Sequence, residues 1–409
     1  MTGAAALEKI PELSAGAAEV VPDGGLAEKL DLGRPLRVKL GLDPTAENVT
    51  LGWAVVLRKL RQFQDLGHVA VLIVGDFTAR VGDPSGRSET RPRLAKDVVR
   101  EYADRLLEQF WLVLDRDRTE VRHNSEWLES LDMEGVLRLT ASYTVARMLE
   151  RDDFATRYAD ARPISIMEFL YPLLQGYDSV AVEADVELGG NDQLFNLLVG
   201  REIQREFGQL PQVALTMPLL VGTDGVHKMS QSLGNYVAVT DPPEDMFGKL
   251  ARVPDGLIAE YRMLTLDFFR DPGEPERVRR GLAEGNLDPW QEKRRLAREV
   301  VNLYHGPGAG AAAEARFDEV HRDRRVPDDV PEMELRPDWA LEGSGRYGGP
   351  TLLWKTGLAS SKSEARRLIA QGGARLDGVP LTDAEAEFGA EELVGKVLSV
   401  SRRRFVRLR

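Results

Sequence analysis

A chain of 409 residues, 43% hydrophobic and 29% charged, is long enough for two or three domains with cores of their own. It has no cysteine, which excludes disulfides, thiolate nucleophiles and cysteine zinc sites, and its five histidines, His68, His123, His227, His305 and His321, never pair at i, i+4, so no metal site is expected. The net charge of −12 argues against a nucleic-acid surface spread over the whole molecule, but the closing GKVLSVSRRRFVRLR holds Arg402, Arg403, Arg404, Arg407 and Arg409 without an acid, a local basic face.

The opening MTGAAALEKIPEL lacks the charged-then-apolar order of a signal peptide, and no apolar run nears the ~20 residues of a membrane span, so a cytoplasmic protein with no membrane partner is expected. Leu7, Ile10 and Leu13 predict a helix, followed by a Gly-rich connection to about residue 35. Residues 36–42 read as a buried parallel strand that Asp43, Pro44 and Thr45 break. A helical pattern follows: Leu51, Val55, Leu60, Phe63 and Leu66 share one face, Arg58, Lys59 and Arg61 point away, and Gly67 is the stop. With Val69–Val74 this makes a strand, helix, strand unit of the kind that builds parallel sheets. Gly52, in the first helical turn, costs up to about 1 kcal/mol against alanine and leaves backbone N–H groups open to an anion. It marks either a nucleotide phosphate site or a glycine at a helix start with no further meaning.

Ligands on parallel sheets bind at the carboxyl ends of the strands. Just there the chain reads GDFTARVGDPSGRSETR, where Asp76 and Asp83 offer carboxylates, Gly82 and Gly86 a tight loop, and Arg87 and Arg91 cations. A polar surface loop is the alternative. Helices are predicted over about 94–114 and 133–150, with a strand at Thr119–His123 between them. In SIMEFLYPLLQGYDSV, Tyr171, Gln175 and Asp178 are four and three apart and share one polar helix face. After the strand-like VAVEADVEL, Gly189, Gly190, Asn191 and Asp192 form a loop and cap, with Gln193 in the next first turn. A strand at 213–220 leads into the turn-rich GTDGVHKMSQSLGN. From about Asp241 the alternation gives way to helices, including 246–250 and 289–304; 327–350 has the composition of a linker, and the block from Thr351 reverses the sign of charge.

GLDPTA, GDPSGRS, YPLLQGYDSV, LGGNDQ and KMSQSLGN, in this order and over nearly the whole length, resemble the bacterial tyrosyl-tRNA synthetases, which are class I aminoacyl-tRNA synthetases. GLASSKSEARRLIAQGGARLDG is similar to the RNA-binding domain named after small-ribosomal-subunit protein four. The resemblance implies an α/β fold: a Rossmann-like parallel-sheet catalytic domain over 1–240, a helical anticodon-side domain over 241–325, a linker at 326–350 and a small α+β RNA-binding domain over 351–409. It also implies activation of tyrosine by ATP with Mg²⁺, transfer to tRNA(Tyr), and a homodimer. Asp178 would accept the phenol proton, while Tyr171, Gln175, Asp83 and Gln193 would hold the ammonium and orient the substrate. Asp43 and Lys39 would line the same pocket, Lys39 where some members place a phenol-contacting tyrosine. Thr45, Thr50, Arg87, Arg91, Lys228, Ser230 and Gln231 would form the catalytic set. Gly52 and Trp53, with Lys228 and Gln231, would bind ATP; Lys362, Arg366, Arg367 and Arg375 would face RNA.

Three positions depart from the family pattern. Members carry His-x-Gly-His at the start of the opening helix, where this chain has Thr50, Leu51, Gly52 and Trp53; their Lys-Met-Ser-Lys-Ser is here Lys228, Met229, Ser230, Gln231, Ser232. Adenylation relies on donors and cations that strengthen as charge builds on the α-phosphate and the departing pyrophosphate. Removing one such donor costs on the order of 10²–10³ in rate, and groups acting as a unit do not add. Trp53 either narrows the nucleotide pocket or packs against the adenine. Two readings follow: a tyrosine-tRNA ligase with an altered, slower ATP site, or a paralogue without adenylation that acts as an RNA-binding or regulatory protein or uses a pre-activated or modified amino acid.

Overall fold

The computed structural model describes residues 7–84, 95–266, 273–321, 330–341, 343–400 and 404–409. The chain forms two compact units, Met1–Gly310 and Ala311–Arg409.

The first unit is built on a six-stranded sheet: β1 (Glu19–Val21), β2 (Arg37–Leu42), β3 (Val69–Val74), β4 (Thr119–His123), β5 (Val186–Gly190) and β6 (Val213–Met217), in spatial order β1-β6-β5-β2-β3-β4. All neighbours run parallel except β1, which pairs antiparallel with β6 at one edge. Sequence reasoning placed a connection where β1 lies; three residues carry too little periodicity to be recognised without their partner. Val38, Val71, Leu72, Val74, Val186 and Leu215 are fully buried or nearly so, as strands covered on both faces require.

The helix α1 (Leu51–Asp65) joins β2 to β3 and ends where Gly67 adopts a left-handed backbone. Leu51, Val55, Leu60 and Phe63 bury their shared face. Lys59 corrects the expectation that it points outward. The helix Ile10–Ser14 packs on this side of α1, and the Lys59 ammonium donates to the carbonyls of Leu13 and Ala15 and to Gln62 Oε1, each at 2.9 Å. Burial lowers its pKa to about 7.

The helix α2 (Lys96–Phe110) precedes β4. The predicted helix over 133–150 is two, Met133–Ala141 and Val145–Met148, because Thr144 leaves the helix and its hydroxyl caps the second one. The helix α3 (Ile166–Ala181) starts in a capping box, Ser165 with Glu168, and packs along α4 (Leu194–Glu206). The helices Pro243–Leu250, Ile258–Thr265 and Pro289–His305 follow.

In the second unit, helices Gly349–Lys355 and Lys362–Ala370 enclose a core of Leu352, Leu353, Ala365, Ile369, Leu398 and Val400. The strand Arg404–Leu408 pairs antiparallel with Val397–Val400 and parallel with Glu332–Met333. The segment expected to be a linker therefore contributes a strand, and Trp339 within it is buried. No helix of the described residues is long and apolar enough to cross a membrane.

Candidate active site

Because β2 to β5 are parallel, the residues that follow them share one edge of the sheet: Asp43 after β2, Gly75 after β3, Asn124 after β4, and Asp192 and Gln193 after β5. There a continuous polar network forms. Asp43 accepts from the Tyr171 hydroxyl at 2.9 Å and from Thr78 Oγ1 at 2.7 Å. Gly75 is required by this approach, since a Cβ on it would stand 2.0 Å from Asp43 Oδ1. Asn124 Nδ2 donates to Thr78 Oγ1 at 2.9 Å and to Asp178 Oδ2 at 3.2 Å, and Trp127 Nε1 donates to Asp178 Oδ1 at 2.8 Å. Asp178 is 3% exposed. Burial pushes its carboxyl up to about 7, against the opposing pull of Lys39 and of the Trp127 and Asn124 hydrogen bonds. Burial also raises the Tyr171 phenol well above its usual range, with the charges of Asp43 and Asp83 adding to it, so this hydroxyl remains a donor.

Gln193 Nε2 donates to Asp83 Oδ2 at 2.9 Å, and Asn196 holds Gln193 Oε1 at 3.0 Å. Gln175 Nε2 donates to Glu187 Oε1 at 3.0 Å, while its buried Oε1 has no partner among the described residues. Lys39 lies opposite Glu187 in the β2–β5 register. Its ammonium, with no exposure, donates to the Gln175 carbonyl at 2.8 Å and to Ser179 Oγ at 2.7 Å and forms a buried ion pair with Glu187 Oε1 at 2.9 Å. Lys39, expected to line the substrate pocket, is thus engaged by protein groups. Removing one member of so buried a pair leaves the other unpaired. Lys39→Met is thus expected to cost about 3–5 kcal/mol in urea unfolding, and Lys39→Met with Glu187→Gln far less than that.

At the start of α1 and in the 228–235 loop, the residues expected to bind nucleotide are engaged by the chain itself. Thr45 follows Asp43 in the loop, its N–H bonded to the Asp43 carbonyl at 2.8 Å. Thr50 Oγ1 accepts the Trp53 N–H at 3.3 Å as helix cap, and the Leu51 N–H donates to the Val237 carbonyl at 2.9 Å. The open helix start expected at Gly52 is therefore partly satisfied from within. A Cβ at Gly52 would meet nothing nearer than Met229 Cβ at 3.5 Å, so internal packing does not demand glycine there. The Trp53 indole stacks on Phe110 of α2, ring centres 6.2 Å apart at 21°, and is 39% exposed. Lys228 Nζ donates to Asp192 Oδ2 at 2.8 Å, and the Ser230 and Ser232 hydroxyls bond at 2.9 Å. The Gln231 carboxamide, expected at the phosphates, pairs with the backbone of Asn48: its Nε2 donates to the carbonyl at 2.7 Å and its Oε1 accepts the N–H at 3.2 Å. Arg87 and Arg91 lie outside the described residues. No group of three His, Asp or Glu side chains among the described residues could hold a metal ion.

In the second unit Ser361 caps the helix Lys362–Ala370, and Gly372 takes the left-handed turn after it. Lys362, Arg366 and Arg367 are exposed; Lys362 lies 5.7 Å from the Trp354 ring centre, and Arg366 Nε lies 3.6 Å from Glu385. Arg375 donates to the Gly378 carbonyl at 3.0 Å.

Thr78, Asn124, Trp127 and Glu187 escaped sequence reasoning. Asn124 directly follows a predicted parallel strand, where a ligand-edge residue is expected, and Glu187 is an acid inside an apolar strand with Lys39 inside another. Thr78 and Trp127 offered no comparable signal.

Residues 31–322 match the family model described as tRNA synthetases class I (W and Y), and residues 350–394 match that of the S4 domain. The chain is 50% identical over 400 residues to a tyrosine–tRNA ligase of Moorella thermoacetica, covering 97% of this chain and 94% of that protein. This chain belongs to the tyrosyl-tRNA synthetase family. A Thermotoga maritima tyrosine–tRNA ligase is 48% identical to the synthetase over 401 residues, covering 98% of it and 97% of the relative. Among solved structures, the tyrosyl-tRNA synthetase from Archaeoglobus fulgidus complexed with L-tyrosine superposes with a TM-score of 0.62 at 24% identity, over 76% of this chain and 99% of that one. That likeness speaks to the fold, a parallel-sheet α/β unit, and the S4 match identifies the RNA-binding tail.

Proposed function

We propose that this synthetase activates tyrosine with ATP and esterifies tRNA(Tyr) with it, through a nucleotide site that works slowly. The observation that carries the reading is the buried carboxyl of Asp178, held by Trp127 and Asn124 at the end of a network that reaches Tyr171 and Asp43. A carboxylate has about four acceptor positions, so two donors leave room for a substrate phenol. The orphan Gln175 Oε1 and the Tyr171 oxygen supply acceptors for an ammonium, and the charges of Asp43 and Asp83 favour it. Gln193 orients Asp83. ATP enters with Mg²⁺ as substrate. Thr45, Lys228 and Ser230 stand on the nucleotide side, with Arg87 and Arg91 expected to add charge.

A second reading, loss of adenylation, is favoured by one specific observation: Thr50 Oγ1, the Leu51 N–H, the Trp53 ring and both ends of Gln231 are all engaged within the chain. Tyrosine-dependent exchange of pyrophosphate into ATP on the full-length protein separates the two. Exchange above background is the expected result, and none at saturating ligands would leave the second reading standing.

We further assign RNA contact to the exposed Lys362, Arg366 and Arg367 with Arg375, on the 351–409 domain that follows the 241–325 helical domain, in a homodimer. Phosphate contacts of this kind give affinity that falls with salt and little sequence preference. Removing residues 350–409 is expected to weaken tRNA binding at least tenfold in filter-binding assays, with tyrosine affinity unchanged. Equal tRNA affinity in the truncated chain would remove the assignment.

A further inference from the structure

We infer that Gln231 is a latch, a positioning residue that holds the 228–235 loop against the segment before α1 through protein groups alone. The inference deepens the nucleotide-site reading and rests on it only for what the loop covers. The contact itself is geometric.

The pairing is reciprocal: the carboxamide gives a hydrogen to the Asn48 carbonyl at 2.7 Å and takes one from the Asn48 N–H at 3.2 Å, joining positions 183 residues apart. A lysine has three donors and no acceptor, so the residue usual at this place in the family can make only half of it. The rest of the loop is tied on both sides. The Met229 N–H donates to the Leu220 carbonyl at 2.8 Å, and its Cβ lies over the first turn of α1, 3.5 Å from where a Cβ of Gly52 would stand. The Ser230 N–H donates to Asn235 Oδ1 at 2.8 Å, and Asn235 Nδ2 turns back to the Lys228 carbonyl at 3.2 Å. On the far side Lys228 reaches Asp192 at 2.8 Å. The loop thus spans from Asn48, ahead of α1, to Asp192, beyond β5, and Gln231 is its anchor on the α1 side. Of the two ends, the Lys228 contact is a half-exposed ion pair that salt screens, whereas the Gln231 contact is neutral and partly buried. The carboxamide therefore ties the loop in a way that salt does not screen, beside the backbone pairing of residues 237–239, just after the loop, with residues 49–51.

Hydrogen exchange on the full-length protein without nucleotide tests this, with Gln231→Leu and Gln231→Glu beside the unaltered chain. Leucine removes both bonds at nearly constant size; glutamate keeps an acceptor for the Asn48 N–H and loses the donor. In the leucine variant, amides of both segments, 46–52 and 228–235, are expected to exchange about tenfold faster, with the glutamate variant in between. Faster exchange confined to the Asn48 amide, or no change in either variant, overturns the latch. Should the leucine variant fail to fold, the glutamate variant carries the same comparison. Adding ATP with Mg²⁺ is expected to restore protection in the leucine variant and to change the unaltered protein less than twofold. In that last arm, no return of protection in the leucine variant counts against the ATP site and not against the latch, whereas more than twofold protection of the unaltered protein by ATP overturns the latch.

Discussion

Asp178→Asn is expected to weaken tyrosine binding by about 10–150-fold in calorimetric titration at pH 8 and to remove the pH dependence of that binding. The first effect is the loss of a charge-assisted hydrogen bond, about 1.5–3 kcal/mol, because the phenol would face an amide instead of a carboxylate. The second follows from burial, which raises this carboxyl from 3.8 to about 7. Tyrosine affinity in the unaltered protein should therefore climb between pH 6 and pH 8 as Asp178 ionises, and stay flat in the variant. Stability runs the other way. Below pH 4 the carboxyl is protonated in folded and unfolded chains alike; between there and about pH 7 the folded protein holds the proton more tightly, so stability falls as pH rises. The ionised, buried group costs on the order of 4 kcal/mol at pH 8, which the asparagine variant does not bear. Part of that gain is offset, since Trp127 Nε1 and Asn124 Nδ2 both donate here and the new amide turns a donor toward one of them. The difference in urea stability between the two proteins should shift in favour of the variant from pH 5 to pH 8. A constant difference would mean that Asp178 is ionised throughout or already neutral at pH 8.

Restoring the family residues, Thr50→His with Trp53→His and Gln231→Lys, is expected to raise the turnover of tyrosine-dependent pyrophosphate exchange by 10² or more, with little effect on the KM for tyrosine. Each restored donor or cation acts on charge that exists only in the transition state, worth on the order of 10²–10³, and the three together fall short of their product because they serve one charge. The structure gives each change a route. Histidine at 53 gives up the stacking on Phe110 that turns the indole toward α2, and lysine at 231 gives up its acceptor toward Asn48 and gains a charge. At 50, histidine replaces a buried capping hydroxyl, so about 1 kcal/mol of helix stability is lost with it. An unchanged turnover would show that Lys228, with Arg87 and Arg91, already compensates.

The opening strand, loop and helix, the polar face of α3 that carries Tyr171, Gln175 and Asp178, and the family itself were legible in the amino-acid order, because periodicity and short motifs are local and survive without knowledge of the fold. Even the histidines missing from the family's signature at the start of α1 were visible as letters. What the letters withheld is the direction in which long side chains turn. Lys59 reads as an outward charge and is buried under a helix from the amino terminus; Lys39 reads as a pocket residue and is consumed by Glu187 on the neighbouring strand. Thr50 and Gln231 read as substitutes for catalytic groups and are found serving the chain's own backbone. Thr78, Asn124 and Trp127 join the site only because parallel strands bring their ends to one edge. A buried donor or charge takes whichever partner the fold sets within reach, and that choice is made by packing between segments remote in the chain.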